Sequence, residues 1–230
     1  MKCELSRGYF ISIEGGDGSG KSTQLRFIAD YMDERGIDAV FTREPGGTHI
    51  GEMLRAIILD KSYSEMAPMT ETLLYAASRA QHVSEKIIPA VEAGKVVICD
   101  RFVDSSIAYQ GYGRELGESV AVINGYATGG FMPDLTIFLD IPPETAFRRI
   151  ASERKEERDR IEIQPLTFHE RVYEGYAALI KADDTDGAER FAVIDATRAP
   201  EAVRNEIYER LDGLFGIQGQ HVITSVNDSM

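Results

Sequence analysis

Five short apolar runs, rich in β-branched residues, lie at 9–13, 39–42, 96–99, 135–139 and 191–194. Several are apolar at successive positions instead of alternating, the pattern of strands covered by helices on both faces. Between the runs, apolar residues recur every three or four positions. Leu25, Ile28 and Met32 fall at i, i+3 and i+7, with Gly36 placed to stop the helix. A second helical pattern covers about 70–91, and Val203, Ile207 and Leu211 are spaced four apart. Strands alternating with helices predict an α/β fold, a doubly wound parallel five-stranded sheet, and leave the strand order open. Glu14, Asp100 and Asp140 close three of the runs, and Asp195 closes a fourth. Ligands of such sheets gather at the carboxyl ends of the strands, so these carboxylates first mark position.

A chain of 230 residues suits one domain, or one with an insertion. We place a single domain at 1–215, and a tail without periodicity at 216–230. The 25 basic and 38 acidic side chains give a net charge of −13. A field of that sign argues against binding a nucleic acid polymer, though not against a nucleotide held by a local cluster of N–H groups and arginines. Two cysteines, Cys3 and Cys99, are too few for a disulfide framework or a zinc site, and Cys99 sits in an apolar run as a small hydrophobe. No apolar run reaches the length of a membrane span, and residues 1–7 lack the apolar stretch of a signal peptide. The expected setting is cytoplasmic.

The first run leads into Gly15-Gly16-Asp17-Gly18-Ser19-Gly20-Lys21-Ser22, a complete G-x-x-x-x-G-K-[ST] loop between a strand and a helix. Its glycines let backbone N–H groups turn inward around a phosphate, and the following helix, with Thr23 in its first turn, adds its positive end. Lys21 suits the β/γ oxygens of a bound nucleotide, and Ser22 suits Mg²⁺. Asp100 stands where a strand-end carboxylate would also hold Mg²⁺, and Arg101 beside it can grip a phosphate with two N–H groups. A guanine-reading Asn-Lys-x-Asp is absent, since no Asn-Lys pair occurs in the chain. That removes the signalling GTPases.

Four further segments follow in order: Arg43-Glu44-Pro45-Gly46-Gly47-Thr48, Tyr75-Ala76-Ala77-Ser78-Arg79-Ala80-Gln81-His82, Asp100-Arg101 with Ala108-Tyr109-Gln110-Gly111, and Asp159-Arg160-Ile161-Glu162. From about residue 9 to 211 the sequence resembles the thymidylate kinase family, P-loop nucleotide kinases with a short lid that pass a phosphoryl group from ATP to dTMP. The resemblance implies that Glu44 and Pro45 line the dTMP phosphate and sugar, with Arg55 a phosphate contact. It implies that Asp17 reaches the sugar 3′-hydroxyl and helps orient the acceptor. Tyr75, Arg79 and His82 share one helix face; by resemblance Tyr75 stacks on thymine and Arg79 donates to its O4, while His82 carries no assignment. Arg101 would grip the acceptor phosphate, Ser106 and Gln110 approach the base, and Tyr109 fill the space of a 2′-hydroxyl. Arg149, Ala196 and Thr197 would surround adenine.

Residues 152–162 hold nine charges, four basic and five acidic. Taken alone this is a solvated face; in nucleotide kinases it is a lid, here about 150–165, that closes over ATP. The P-loop has no basic residue before Lys21, which fits the branch of the family whose catalytic arginine comes from the lid. Arg154, Arg158 and Arg160 are candidates to neutralise the transferring group, with Arg154 preferred. The segment is about two residues longer than the common lid, so the register among Arg154, Lys155 and Arg158 stays open. A homodimer is implied by the resemblance alone. The competing readings are a kinase for another acceptor, and an ATP-dependent switch or assembly protein without a small acceptor.

Overall fold

The computed structural model describes residues 5–153, 159–187 and 189–217. Five strands, β1 (Tyr9–Glu14), β2 (Ala39–Arg43), β3 (Val96–Asp100), β4 (Leu135–Asp140) and β5 (Phe191–Asp195), form one parallel sheet in the order β2-β3-β1-β4-β5. Each strand runs one residue past the apolar run that predicts it, through the residue that closes it. The α/β doubly wound fold is therefore as the alternation predicts.

Register brings the strand ends together. Ile13 and Arg43 both stand opposite Asp100, and Asp140 stands opposite Asp195. Successive apolar residues serve two cores. Ile11, Ile13, Val96, Ile98 and Ile137 pack with Ile28, Met32, Val203, Ile207 and Leu211 of α1 (Lys21–Arg35) and α9 (Pro200–Phe215). Phe10, Val97 and Cys99 face the other way, against Val83, Ile87 and Phe102. Phe138 packs there with Tyr109, Phe168, Val172 and Tyr176, the last three from α8 (Leu166–Asp186). The edge strands are less covered, and Phe41 and Val193 are exposed.

Gly36 ends α1 in the left-handed conformation, φ 64°, as expected of a glycine stop. The stretch read as one helix over 70–91 is three consecutive pieces: α3 (Pro68–His82), a π-helical segment Val83–Ile87 and α4 (Ile88–Glu92). A second π segment, Ile107–Gly113, follows the short α5 (Val103–Ser106) and carries Tyr109 and Gln110. The remaining helices are α2 (His49–Leu59), α6 (Ser119–Thr128) and α7 (Pro143–Glu153). Most of the tail read at 216–230 lies outside the described residues.

Candidate active site

The P-loop wraps from β1 into α1 with glycines where the backbone needs them. Gly15 has φ +143°, and a Cβ there would lie 2.8 Å from Ser19 Oγ and 3.0 Å from the Leu139 carbonyl. Gly20, φ 95°, caps α1. Lys21 Nζ donates to the carbonyls of Gly15 (3.0 Å) and Gly16 (3.1 Å). Burial first, then the charge of Arg101, pulls its ammonium down to about 8.

Across the switch in strand order, Arg101 leaves β3 at φ +70°, a backbone region costly for a side chain of this size. Three acceptors hold its guanidinium: the Gly15 carbonyl (3.0 Å), Ser105 Oγ (3.2 Å) and Asp17 Oδ1 (2.7 Å). Burial pushes the Asp17 carboxyl up, and Arg101 with Lys21 and His169 outweighs it, so its pKa lies below the ordinary value. Tyr109 lies under the Arg101 guanidinium, 4.9 Å from ring to carbon, with its hydroxyl 3.5 Å from Asp17 Oδ2. Beneath them Glu14 is fully buried and accepts from Phe102 N–H (2.6 Å), Ser12 Oγ (2.8 Å), Ser105 Oγ (2.5 Å) and Tyr176 Oη (2.8 Å). Burial, aided by Asp104, pushes its carboxyl up. Nothing in the local sequence marks Glu14 for this, because beyond Ser12 its donors come from two distant segments, Phe102 with Ser105 and Tyr176.

One cavity of about 620 Å³ joins these parts. Its lining includes Asp17, Gly18, Ser19, Gly20, Lys21, Ser22 and Thr23 at the P-loop, Asp100 and Arg101 beside it, and Arg149 and Ala196 toward α7 and β5. Glu44, Pro45, Arg55, Tyr75, Arg79, Ser106, Tyr109 and Gln110 line the rest. Gly15, Gly16 and Thr197 are bonded to residues of the lining: the two glycine carbonyls accept from Lys21, and the Thr197 carbonyl from Arg149 Nη2 at 3.4 Å. Among the described residues, those expected at the site line this cavity, apart from Gly15, Gly16, Thr197 and the lid candidate Arg160. Arg154 and Arg158 lie outside the described residues.

Several neighbours carry more structure than the sequence suggests. Arg55 Nη1 donates to the Pro45 carbonyl (2.9 Å), which fixes the loop it faces. Burial and the nearby Arg43 push the Arg55 pKa down, the sign of crowded cations near an open cavity. Arg79 is buried at 1% exposure and gives Nε to Glu44 Oε2 (2.7 Å). Its Nη1 donates to Ser106 Oγ (2.9 Å) and to Asn124 Oδ1, and its Nη2 to the Phe102 carbonyl (3.0 Å). A guanidinium has five N–H groups, so one remains for a ligand.

Arg160, one of the three lid candidates, is held by the fold in this structure. It is buried, its Nε donates to the Ile58 carbonyl (2.8 Å) and its Nη1 pairs with Glu71 (2.7 Å); its neighbours Asp159, Ile161 and Glu162 line the cavity and it does not. Glu71 also accepts from Arg114 and from Gln110 Nε2 (2.9 Å). Asp140 accepts from Tyr173 Oη of α8, and Asp195 from Thr197 in the loop that follows it.

For a divalent cation the telling atom is Asp100 Oδ1, buried without a hydrogen-bond partner at the carboxyl end of β3. With the Ser22 hydroxyl on the same cavity it forms a hard oxygen donor set, which fits Mg²⁺.

The cavity reaches from the P-loop to Tyr75 and Arg79. A phosphate cradle and an aromatic-and-arginine wall on one P-loop sheet is the layout of a nucleoside monophosphate kinase. The chain matches the thymidylate kinase family over residues 13–207. A thymidylate kinase of Geobacillus thermodenitrificans is 49% identical over 211 residues, 90% of this chain and 92% of its own. One of Clostridium novyi is 49% identical over 178 residues, 77% of this chain and 87% of its own. A crystal structure of thymidylate kinase from Ehrlichia chaffeensis superposes with a TM-score of 0.72 at 29% identity, over 89% of this chain and 99% of that one. The chain belongs to the thymidylate kinase family.

Proposed function

We infer that this chain transfers the γ-phosphoryl group of ATP to dTMP, giving dTDP and ADP. The observation that carries the reading is the single cavity in which Lys21 and Arg101 share the Gly15 carbonyl, while Tyr75, Arg79 and Gln110 line the far wall. An oxygen of the dTMP phosphate attacks the γ-phosphorus in line with the leaving ADP oxygen. That oxygen is already anionic, so no strong general base is required, and catalysis is positioning plus stabilisation of charge. Lys21 holds the β/γ oxygens; Arg101 holds the acceptor phosphate; Asp17 takes the 3′-hydroxyl; Arg154 from the lid meets the transferring group. Tyr75 stacks on thymine, Arg79 uses its remaining N–H on O4, and Tyr109 excludes a 2′-hydroxyl. Arg149, Ala196 and Thr197 take the adenine. Mg²⁺ held by Ser22 and Asp100 would draw charge from the β- and γ-oxygens.

We also propose a homodimer. Ile50, Met53 and Ile57 on α2, Met69 and Leu73 on α3, and Val122 and Tyr126 on α6 are exposed, and these helices are neighbours. An apolar face of that kind supports pairing with a second copy. The one continuous sheet supports a single domain over 1–215. No helix among the described residues is long and apolar enough to cross a membrane; a cytoplasmic setting is our reading from the two cysteines and the nucleotide substrates.

The test is ADP formation from ATP with dTMP, CMP, UMP and AMP in turn, with and without Mg²⁺. Metal-dependent turnover with dTMP and little with the others is expected. ADP formation indifferent to every monophosphate would overturn the acceptor assignment.

A further inference from the structure

His82 ends α3 where the helix widens into its π segment, and it is fully buried. Both ring nitrogens are engaged: Nδ1 lies 2.9 Å from Glu44 Oε1, and Nε2 lies 2.7 Å from Thr42 Oγ1. A carboxylate only accepts, so Nδ1 carries a proton and donates to Glu44. The other Glu44 oxygen accepts from Arg79 Nε at 2.7 Å. One buried carboxylate thus fixes both a histidine and the arginine that lines the acceptor end of the cavity. The fit around the ring is close: a Cβ at Gly47, φ +82°, would stand 2.6 Å from His82 Nε2 and 2.7 Å from Thr42 Oγ1.

We propose that His82 is a positioning residue for acceptor recognition: through the Nδ1–Glu44 bond it sets the Arg79 guanidinium that meets the nucleobase. Arg79 gains direction from this arrangement because its Nε is the only one of its nitrogens paired to a charge. The Glu44 carboxylate would otherwise be free to turn about its own side chain and loosen its hold on Arg79 Nε, leaving the guanidinium to its three neutral acceptors. Glu44, His82 and Cys99 bring three ligand-type atoms within 4.8 Å of one another. A cation among them would share the Glu44 carboxylate with the Arg79 guanidinium and cost the histidine one of its hydrogen bonds, so a positioning role suits the cluster better. The inference rests on the dTMP reading above.

Two variants separate positioning from packing. His82→Asn keeps a donor near the place of Nδ1 and gives up the reach to Thr42. His82→Gln places its amide near Nε2 and gives up the bond to Glu44. Positioning predicts that His82→Gln raises the KM for dTMP about tenfold, the loss expected when one hydrogen bond to a charged group goes, with the KM for ATP unchanged. His82→Asn should stay near wild type. Packing predicts the reverse order, since asparagine leaves the larger void. Gln equal to or better than Asn would overturn the proposal, as would equal changes in both KM values. Glu44→Gln is the second probe, should His82→Gln not fold. It must raise the KM for dTMP and spare that for ATP, and an unchanged KM for dTMP overturns the proposal. Failure of the wild-type protein to phosphorylate dTMP would instead refute the function from which the inference starts.

Discussion

Replacing Glu71 by Gln removes one negative charge from between two arginines and leaves the shape almost intact. The Glu71 side chain is 1% exposed, and its partners differ: Arg160 at 7% and Arg114 at 16%. Arg114 can recover some water when the carboxylate goes. Arg160 cannot, because its Nη2 is already buried without a partner. Removing one member of a buried ion pair costs about 3–5 kcal/mol, and the partial exposure of Arg114 points to the lower end, about 3 kcal/mol. For a chain of this size that lowers Tm by roughly 6–12 °C. Urea unfolding at neutral pH gives the first number and calorimetry the second. Acid supplies an independent check. Burial raises the Glu71 pKa, but the bonds and charges of Arg114, Gln110 and Arg160 outweigh it, so the folded value lies below the ordinary one. A depressed carboxylate stabilises above its unfolded pKa, and loses that contribution as pH falls through the folded one. The gap between wild type and variant should therefore be full at neutral pH and close below about pH 4. A loss under about 1 kcal/mol, the size of an exposed pair, or a gap that ignores pH, would refute this account. Because Gln110 also bonds to Glu71, the variant should bind dTMP more weakly even where it is fully folded.

Arg101→Ala should lower kcat/KM by about 10²–10³, the usual loss for one preorganised donor to a transition state; near-normal turnover would remove Arg101 from the mechanism. Lys21 must be protonated to hold phosphate, so kcat/KM for ATP should fall as pH rises through about 8, and a flat profile there would contradict its role. Chelation with EDTA should stop turnover, and Asp100→Asn should raise the Mg²⁺ concentration needed for half-maximal rate. If that concentration does not move, Asp100 is not a ligand. Tyr126→Asp should yield a monomer by sedimentation, because Tyr126 is 87% exposed on the proposed interface; a dimer that survives would place the interface elsewhere.

The strands, the P-loop and the face shared by Tyr75 and Arg79 were legible because each depends on residues near one another in the chain. Glycines at fixed spacing and a period of two or of 3.6 are local signals. Strand order was not legible, since nothing in the run at 96–99 says that it lies between β1 and β2. The same holds for the anchors around the site. Glu71 meets Arg114 across 43 residues and Glu14 meets Tyr176 across 162, and each looks like an ordinary residue in its own segment. Arg160 misled for a related reason. In a run of nine charges it reads as one more mobile cation, and only its distant partners, Ile58 and Glu71, show that it anchors the end of the segment.

The Gly15 carbonyl accepts from Lys21 and from Arg101, both at 3.0 Å. The cation that belongs to the donor and the cation that belongs to the acceptor are therefore surveyed from one common datum. A breathing motion of the sheet that moves this carbonyl moves both clamps by the same vector, so their separation is insulated from it. Alignment of attacking oxygen, phosphorus and leaving oxygen then depends less on rigidity of the whole fold than on the stiffness of two short arms. The left-handed backbone of Arg101 keeps one of those arms short.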